Sequence, residues 1–308
     1  MKSNRYMIQI YTSFLTSSHI YVKGRVLKNR FPMSFVNQGP ISSLFNTILR
    51  ARSKELPNIP IRCGFGDHVF DVVTDCEGYF EIFHNISTFQ SIPKKIKIEG
   101  EFKGENIVFE RPLSSYLYDV PHGIISDIDD TIMVSKVKSL FKLRLLINTV
   151  LINPFRRKPI ENAAEAFHKM VLNTEGQSPL IYLSNSPWNI YDYIQAFLLH
   201  NSFPVGEVLL RDMDFKILKY RDITEYNKYI EIEKLLIAFK DTTFTLIGDT
   251  GEKDFDIYKA ILEKYPDRID RIILNNAGNQ KKISEVNKYL INAEFKNIEI
   301  INGYLGIE

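Results

Sequence analysis

The chain has 308 residues, of which 44% are hydrophobic and 25% are charged, and its formal net charge is +2. This composition predicts a globular protein of one large or two ordinary domains with a sizeable core. So small a net charge gives no reason to expect a nucleic-acid partner, and two cysteines are too few for the disulfide framework of a secreted protein.

The N-terminal stretch MKSNRYMIQIYTSFLTSSHIYVKG has basic residues near its start but lacks the continuous apolar core and the cleavage site of a signal peptide. No apolar run in the sequence approaches the roughly 18 residues of a membrane span. We therefore expect a cytoplasmic protein in which the thiols of Cys63 and Cys76 are reduced.

Residues 1–118 are predicted to form a β-sandwich domain. The stretch KKIKIEGEF alternates apolar and charged residues, which indicates a half-buried strand, and IVFE returns after a turn at 104–106. HIYVKGRVL and VFDVVTDCEGYFEIF predict further strands, the second interrupted by a turn at 75–78. Short strands separated by turn residues favour a sandwich, with SSLFNTILRARSKEL (42–56) as a helix-like insertion.

Residues 119–308 are predicted to form an α/β domain around a doubly wound parallel sheet. Apolar strand candidates alternate with amphipathic helix candidates, which is typical of successive βαβ units. The predicted strands are Ile124–Ile128, Leu180–Ser184, Glu207–Leu210, Phe244–Gly248 and Arg271–Leu274. Helices are predicted from the spacing of apolar residues in 188–198 and 232–239.

Acidic, hydroxyl and lysine side chains are predicted to meet at one edge of this sheet. In such sheets a ligand binds beyond the carboxyl ends of the strands. The side chains expected there belong to Asp127, Asp129, Ser184, Lys228, Asp249 and Asp254. A carboxylate can attack phosphorus, and an acid two residues later can protonate the leaving oxygen and then activate water. Mg²⁺ prefers oxygen ligands, and lysine and serine can hold phosphoryl oxygens, so the set predicts phosphoryl transfer.

Each of these residues also has a purely structural interpretation. An Asp-x-Asp pair after a strand is often only a turn, and Ser184 or Lys228 alone can be an ordinary polar residue. Ser186, which precedes Pro187, is predicted to be a helix N-cap without a chemical role. The order of acid, hydroxyl, lysine and acid along an alternating sheet is what favours a catalytic site.

The motifs resemble those of a known superfamily. The segment 127–131, Ser184, Lys228 and the segment 249–254 are similar to the four motifs of the haloacid dehalogenase superfamily of phosphatases. GIISDIDDTI, YLSNSPWNIYDYI, PVGEVLLRDM and LIGDTGEKDFDIY resemble the phosphatidate phosphatase family named after the fungal actin-patch protein. IYVKGRVL and VVTDCEGYFEI are similar to the β-sandwich that precedes the phosphatase domain in that family. The resemblance implies a haloacid dehalogenase-like domain over 119–308, with a small cap at about 135–172.

The resemblance also implies a role for each site residue. Asp127 would be the nucleophile and a Mg²⁺ ligand, and Asp129 would be the general acid and base, with its backbone carbonyl reaching the metal. Asp249 would bind Mg²⁺ directly, and Asp254 would support the ion or its waters. The residues implied to bind the phosphoryl group are Thr131, Ser184, Asn185 and Lys228.

Three positions near these motifs carry further expectations. The spacing of Lys228 from the apolar helix face at 232–236 best matches the family pattern. The other lysines near enough in sequence to be the phosphate ligand are Lys216, Lys219 and Lys234. The family often carries an arginine after the last strand, where this chain has Asn275 and Asn276. If that arginine contacts substrate, headgroup or chain preference would differ in this chain. Asp130 is expected to point away from the site and to anchor the loop.

Residues 136–158, KVKSLFKLRLLINTVLINPFRRK, contain seven lysines and arginines and no acid. A basic and apolar segment of this kind can lie on an anionic membrane beside the site, which would make the protein peripheral to the membrane. A small cap helix with solvated charges is the alternative.

The leading hypothesis is a Mg²⁺-dependent phosphatidate phosphatase that acts through an aspartyl-phosphate. The first alternative keeps this chemistry on a soluble phosphomonoester. The second, a phospho-accepting receiver, is disfavoured because the acidic cluster follows the first strand of the domain. The third is an interaction protein with a vestigial phosphatase domain.

Overall fold

The computed structural model describes residues 6–28, 56–86, 93–116, 120–134, 154–172, 178–211, 222–251, 253–292 and 297–307. These residues divide into two compact units. Residues up to 116, together with 238–240, form the first unit, and the other residues from 120 onward form the second. The helix-like stretch predicted at 42–56 lies outside the described residues, apart from Leu56.

The first unit consists of two four-stranded sheets. Its strands are β1 (Tyr6–Thr16), β2 (His19–Lys28), β3 (Pro60–Phe65), β4 (His68–Val73), β5 (Tyr79–Asn85), β6 (Lys95–Phe102), β7 (Glu105–Pro112) and β8 (Ser114–Tyr116). One sheet has the order β5-β2-β1-β8, with β8 parallel to β1 and the other pairs antiparallel. The other has the order β4-β3-β6-β7 and is antiparallel throughout.

Strand β6 illustrates how this unit buries its core. Ile96 and Ile98 are buried and Lys95 and Lys97 are exposed, as the alternation predicted. The hairpin to β7 is also confirmed, although its turn is formed at 103–104, because Glu105 already pairs with β6. Apolar residues of both sheets enter one buried cluster, among them Val22, Phe80, Ile61, Cys63 and Ile98.

The second unit contains a six-stranded parallel sheet. Its strands are β9 (His122–Ser126), β10 (Leu180–Pro187), β11 (Glu207–Arg211), β12 (Thr243–Asp249), β13 (Ile269–Asn275) and β14 (Ile298–Ile301). The parallel α/β prediction is confirmed for these residues. Strand β14 was not predicted, because it is a short edge strand whose residues are mostly half-buried and therefore lack a strong apolar pattern.

The strand order explains where a ligand site is expected. The order is β11-β10-β9-β12-β13-β14, so the chain proceeds from β9 to one side and then crosses to β12 on the other side. The crevice at such a reversal of strand order is the usual ligand site of an open α/β sheet. Residues that follow β9 and β12 therefore flank this position.

The helices of the second unit are α1 (Ala163–Leu172), α2 (Tyr191–His200), α3 (Asn227–Ala238), α4 (Asp254–Lys264) and α5 (Gln280–Asn292). The predicted apolar faces of α2 and α3 are buried, since Ile194 and Phe197 in α2 and Ile232 and Leu235 in α3 are almost inaccessible. Helix α1 packs on the sheet through Phe167, whose ring stacks on Tyr182 of β10 at 6.1 Å.

Two further expectations concern membranes and thiols. Within the described ranges, no helix is both long and apolar enough to span a bilayer. Cys63 and Cys76 are both free thiols, the first buried and the second exposed.

Of the basic segment 136–158, the residues before 154 lie outside the described part of the chain.

Candidate active site

The acidic loop, residues 127–133, begins directly after β9. The strand ends at Ser126, so Asp127 is the first loop residue, whereas the predicted strand continued to Ile128. The Asp127 amide donates a hydrogen bond to the Ile247 carbonyl of β12 (2.8 Å), and the Ser126 hydroxyl donates to the Asp127 carbonyl (2.7 Å). These two bonds fix the backbone of a buried aspartate at the reversal of strand order.

Lys228 joins two of the predicted acids. Its Nζ atom lies 2.9 Å from Asp127 Oδ1 and also donates a hydrogen bond to Asp254 Oδ1. The Lys228 side chain is 1% exposed, so the ammonium is removed from water and depends on these carboxylates. Lys228 is the second residue of α3, and Asp254 is the first of α4, so two helix starts supply this contact.

Asp249 and Asp254 are held by the loop between β12 and α4. The Asp249 amide donates to Asp254 Oδ2 at 3.2 Å, and the Gly251 amide donates to Asp249 Oδ1. Both glycines of the GDTG string are needed sterically, because a Cβ on Gly248 would collide with Asp254 and a Cβ on Gly251 would approach Asp249 Oδ1 to 2.8 Å. The tight turn therefore orients both carboxylates.

Three buried carboxylates converge here. Asp127, Asp249 and Asp254 each offer an oxygen, and the three atoms lie within 4.8 Å of one another. Burial is the main cause that raises the pKa of Asp127 well above its ordinary value, with Lys228 opposing the shift and Asp254 and Asp249 adding to it. One ammonium cannot balance three carboxylates, so the donor set fits a hard divalent cation that takes oxygen ligands.

Asp129 lies in a hydroxyl environment. Its Oδ2 atom accepts hydrogen bonds from the hydroxyls of Ser184 (3.3 Å) and Ser186 (3.0 Å). Ser186 is therefore not the helix N-cap that was predicted. Strand β10 continues through Pro187, and alternation along an extended strand places the side chains at 184 and 186 on the same side. This alternation could have indicated that Ser184 and Ser186 share one side of the strand. It was overlooked because Pro187 suggested the start of a helix.

The other residues implied to bind phosphate differ in what they contact. The Thr131 hydroxyl donates to Asp127 Oδ2 at 3.1 Å, so Thr131 is tied to the acid itself. Asn185 follows Ser184 in β10 and is half-buried. Lys234 pairs with Glu231 at 3.6 Å and is 22% exposed, whereas Lys216 and Lys219 lie outside the described residues.

The asparagines that replace the family's arginine make internal hydrogen bonds. Asn275 Nδ2 donates to the Asp130 carbonyl at 2.7 Å, and Asn276 Nδ2 donates to Asn302 Oδ1 at 2.9 Å. Asp130 itself has a positive φ of 55° and donates its amide to the Met133 carbonyl. Asn275 therefore supports the backbone of the acidic loop.

Sequence reasoning missed a buried pair beside this loop. Arg157 Nε donates to the Tyr193 hydroxyl at 3.2 Å, and Arg157 Nη1 donates to the Val134 carbonyl at 3.2 Å. Arg157 was counted among the basic residues of 136–158 that could face a membrane, but it is only 8% exposed. Burial raises the pKa of Tyr193, and the arginine opposes this shift. No sequence pattern distinguished this arginine from its basic neighbours.

A comparison with known families identifies the second unit. The family model described as "Phosphatidate phosphatase APP1, catalytic domain" matches residues 122–276, which is half of the chain and includes every predicted site residue. The chain belongs to this family.

Curated relatives of this APP1-type chain are longer proteins. Phosphatidate phosphatase APP1 of Saccharomyces cerevisiae is 27% identical over 199 residues, which cover 60% of this chain and 33% of that protein. An uncharacterized protein of Schizosaccharomyces pombe is 26% identical over 214 residues, which cover 67% of this chain and 34% of that protein. The chain therefore spans about a third of the length of these relatives.

Solved structures add no further assignment for this member of the APP1 family. A carbohydrate acetylesterase from Xanthomonas citri superposes with a TM-score of 0.28 and 10% sequence identity, covering 87% of this chain and 68% of that one. A score this low supports no inference about fold or function.

Proposed function

We propose that the chain is a Mg²⁺-dependent phosphatidate phosphatase, a phosphoric monoester hydrolase that converts phosphatidate to diacylglycerol and phosphate. The observation that carries the proposal is the cluster of Asp127, Asp249 and Asp254 around Lys228, inside the region that matches the APP1 catalytic domain. Buried acids that repel one another cost stability, and a divalent cation with a phosphoryl substrate explains why they are kept together.

The metal ligands in this proposal are Asp127, the Asp129 backbone carbonyl, Asp249 and Asp254. When bound, Mg²⁺ supplies the positive charge that offsets the carboxylates and the phosphoryl oxygens. Asp249 and Asp254 are already oriented for such a task, because their carboxylates accept the amide hydrogen bonds of Gly251 and Asp249.

In the first step, an Asp127 carboxylate oxygen attacks the phosphorus atom. A bond forms between Asp127 and phosphorus, and the bond from phosphorus to the glycerol oxygen breaks. Asp129 donates its proton to that leaving oxygen, which releases diacylglycerol. The hydroxyls of Ser184 and Ser186 hold Asp129 Oδ2 and so fix the direction of this transfer.

In the second step, Asp129 removes a proton from water as the water oxygen attacks the aspartyl-phosphate. The bond from phosphorus to Asp127 breaks, phosphate leaves and the carboxylate is restored. Lys228 supplies an ammonium where negative charge accumulates on the phosphoryl oxygens. Thr131, Ser184 and Asn185 complete the proposed phosphoryl-binding set.

We also propose the domain arrangement that the resemblance implied. Residues 1–118 would form a β-sandwich domain, supported by apolar residues of two sheets that enter one buried cluster. Residues 119–308 would form a haloacid dehalogenase-like domain, supported by the position of the acids at the reversal of strand order. The small cap would occupy about 135–172, whose later part, α1, packs on the sheet.

The proposed substrate lies in a bilayer, so we propose that a cytoplasmic enzyme visits anionic membranes through 136–158. Arg157 is excluded from the docking residues because it is buried. Sedimentation with phosphatidate-containing vesicles should fall steeply between 0.1 and 1 M salt, as the Debye length drops from about 10 to about 3 Å. Replacing Lys136, Lys138, Lys142 and Arg144 by glutamine should reduce binding at low salt. Binding that ignores salt would contradict this docking mode.

Phosphate release from a substrate panel tests the function. The panel contains phosphatidate in mixed micelles, sugar phosphates and nucleotide phosphates, each with and without Mg²⁺. We expect Mg²⁺-dependent hydrolysis of phosphatidate, and a loss of about a thousandfold or more for Asp127→Asn. Asp71→Asn, at an exposed ion pair of the first unit, is the matched control. Full activity in Asp127→Asn would exclude the mechanism, and preference for a soluble ester would exclude the substrate.

A further inference from the structure

The chain that follows β14 folds back onto the acidic loop. The Tyr304 hydroxyl donates to the Thr131 carbonyl at 3.0 Å, and the Gly303 amide donates to Asn275 Oδ1 at 3.1 Å. Asn275 in turn donates to the Asp130 carbonyl. The segment 302–307 therefore holds two consecutive carbonyls of the acidic loop. It holds that of Thr131 directly through Tyr304, and that of Asp130 indirectly through Asn275.

The acidic loop needs support from outside. Asp130 has a φ of 55°, a left-handed conformation that aspartate adopts more readily than most residues but that still costs more than the right-handed one. Hydrogen bonds within the loop close a turn, in which the amides of Ile132 and Met133 both donate to the Ile128 carbonyl. A strained conformation persists only when its surroundings fix it, and the bonds from Tyr304 and Asn275 provide such fixation.

The supporting segment is itself firmly anchored. The Tyr304 amide donates to the Glu161 carbonyl at 3.1 Å, and the Tyr304 ring meets the Phe167 ring of α1 edge-on at a centroid distance of 5.7 Å. The Asn276 amide donates to the Ile301 carbonyl at 2.8 Å. Tyr304 is buried, so the phenol is a fixed support and not a mobile side chain.

We propose that Tyr304 is a positioning residue that sets the geometry of the nucleophile and the acid. The bond to the Thr131 carbonyl holds the residue whose hydroxyl contacts Asp127 Oδ2, so a shift of Thr131 is transmitted to Asp127. Asn275 acts on the preceding carbonyl, that of Asp130, which follows Asp129 in the loop. This role rests on the proposed phosphatase function, and it belongs to a segment beyond the matched residues 122–276.

The test compares Tyr304→Phe with Tyr182→Phe. Each substitution removes one buried hydroxyl that donates to a backbone carbonyl, which is Thr131 for Tyr304 and Pro204 for Tyr182 (2.9 Å), and each leaves a ring that contacts Phe167. For Tyr304→Phe we expect kcat to fall at least tenfold with KM changed less than twofold. For Tyr182→Phe we expect both constants to stay within twofold of wild type.

Amide hydrogen exchange gives a readout that does not depend on activity. In Tyr304→Phe, exchange of the amides in 127–133 should accelerate about tenfold or more, whereas Tyr182→Phe should leave it unchanged. Asn275→Ala, which breaks the second link, should accelerate the same amides. If wild-type protein hydrolyses no phosphomonoester, the proposed function fails and exchange alone decides the positioning role. Equal exchange in 127–133 for Tyr304→Phe and Tyr182→Phe would overturn that role.

Discussion

The Lys228 ammonium lies 2.9 Å from the Asp127 carboxylate in the interior of the second unit and also bonds to Asp254. A buried cation between two acids is a strong electrostatic constraint, because removing one partner leaves uncompensated charge in a medium of low polarity. The same contact connects α3, α4 and the loop after β9. Lys228 is therefore important both for the site and for stability.

Lys228→Met should destabilise the metal-free protein. The loss expected on breaking a buried ion pair is about 3–5 kcal/mol in the free energy of unfolding, measured by urea denaturation in chelator. Lys169→Met is the control, since Lys169 pairs with Glu165 on the exposed face of α1, and its loss should stay below about 1 kcal/mol. Equal losses for the two variants would show that burial of the Lys228 pair contributes little.

Asp249→Asn should weaken metal binding. A neutral amide is a poorer ligand for Mg²⁺ than a carboxylate, so we expect the dissociation constant from isothermal titration to rise about tenfold or more. The rise in melting temperature on adding Mg²⁺ should shrink in parallel. Asp270→Asn, at the start of β13 and thus at the opposite edge of the sheet, should bind Mg²⁺ like wild type. An unchanged titration for Asp249→Asn would exclude Asp249 as a ligand.

Ser186→Ala should impair the acid–base step. It removes the 3.0 Å hydrogen bond to Asp129 Oδ2, so Asp129 is less well oriented and kcat should fall about tenfold with little change in KM. Ser184→Ala removes a proposed phosphoryl ligand and should raise KM as well. Ser178→Ala is a control that should behave like wild type, because its hydroxyl donates to the carbonyl of His122 at the start of β9, the end of the strand opposite Asp127. A wild-type kcat for Ser186→Ala would contradict this role.

The two thiols should differ sharply in reactivity. Cys76 is exposed, whereas Cys63 is buried and burial raises the pKa of its thiol to about 12. Native protein should therefore react with a thiol reagent at Cys76 alone, and Cys63 should react only after unfolding. Mass spectrometry of the labelled peptides distinguishes the two sites, and Cys76→Ser should abolish native labelling. Rapid native labelling of Cys63 would contradict the buried position of β3.

The parallel sheet and its acidic edge were predictable because they follow from local patterns. Buried strands are continuous apolar runs, helices repeat their apolar positions, and the carboxyl ends of parallel strands meet at one edge. This is why the sequence alone was enough to assign Asp127, Lys228, Asp249 and Asp254 to one cluster. The residue types limited the chemistry further, since carboxylates, hydroxyls and a lysine suit phosphoryl transfer.

Contacts between distant segments were not predictable. Tyr304 lies 173 residues from Thr131, and nothing in the string INGYLG indicates a hydrogen bond to the acidic loop. Arg157 was indistinguishable from the basic residues beside it until its burial was known. Ser186 was assigned wrongly because the proline that follows it is common at helix starts, and only the pairing of β10 shows that the strand continues.

The bond from Tyr304 to Thr131 has a consequence for how the enzyme becomes active. Because the entropy of closing a long loop must be paid before a contact between distant residues stabilises the chain, we expect this contact to form late in folding. The nucleophile loop should therefore acquire its final shape only after β14 has joined the sheet. In the proposed phosphatase, a partly folded chain would hold its acids in a loose loop, and hydrolysis would begin only when the fold is complete.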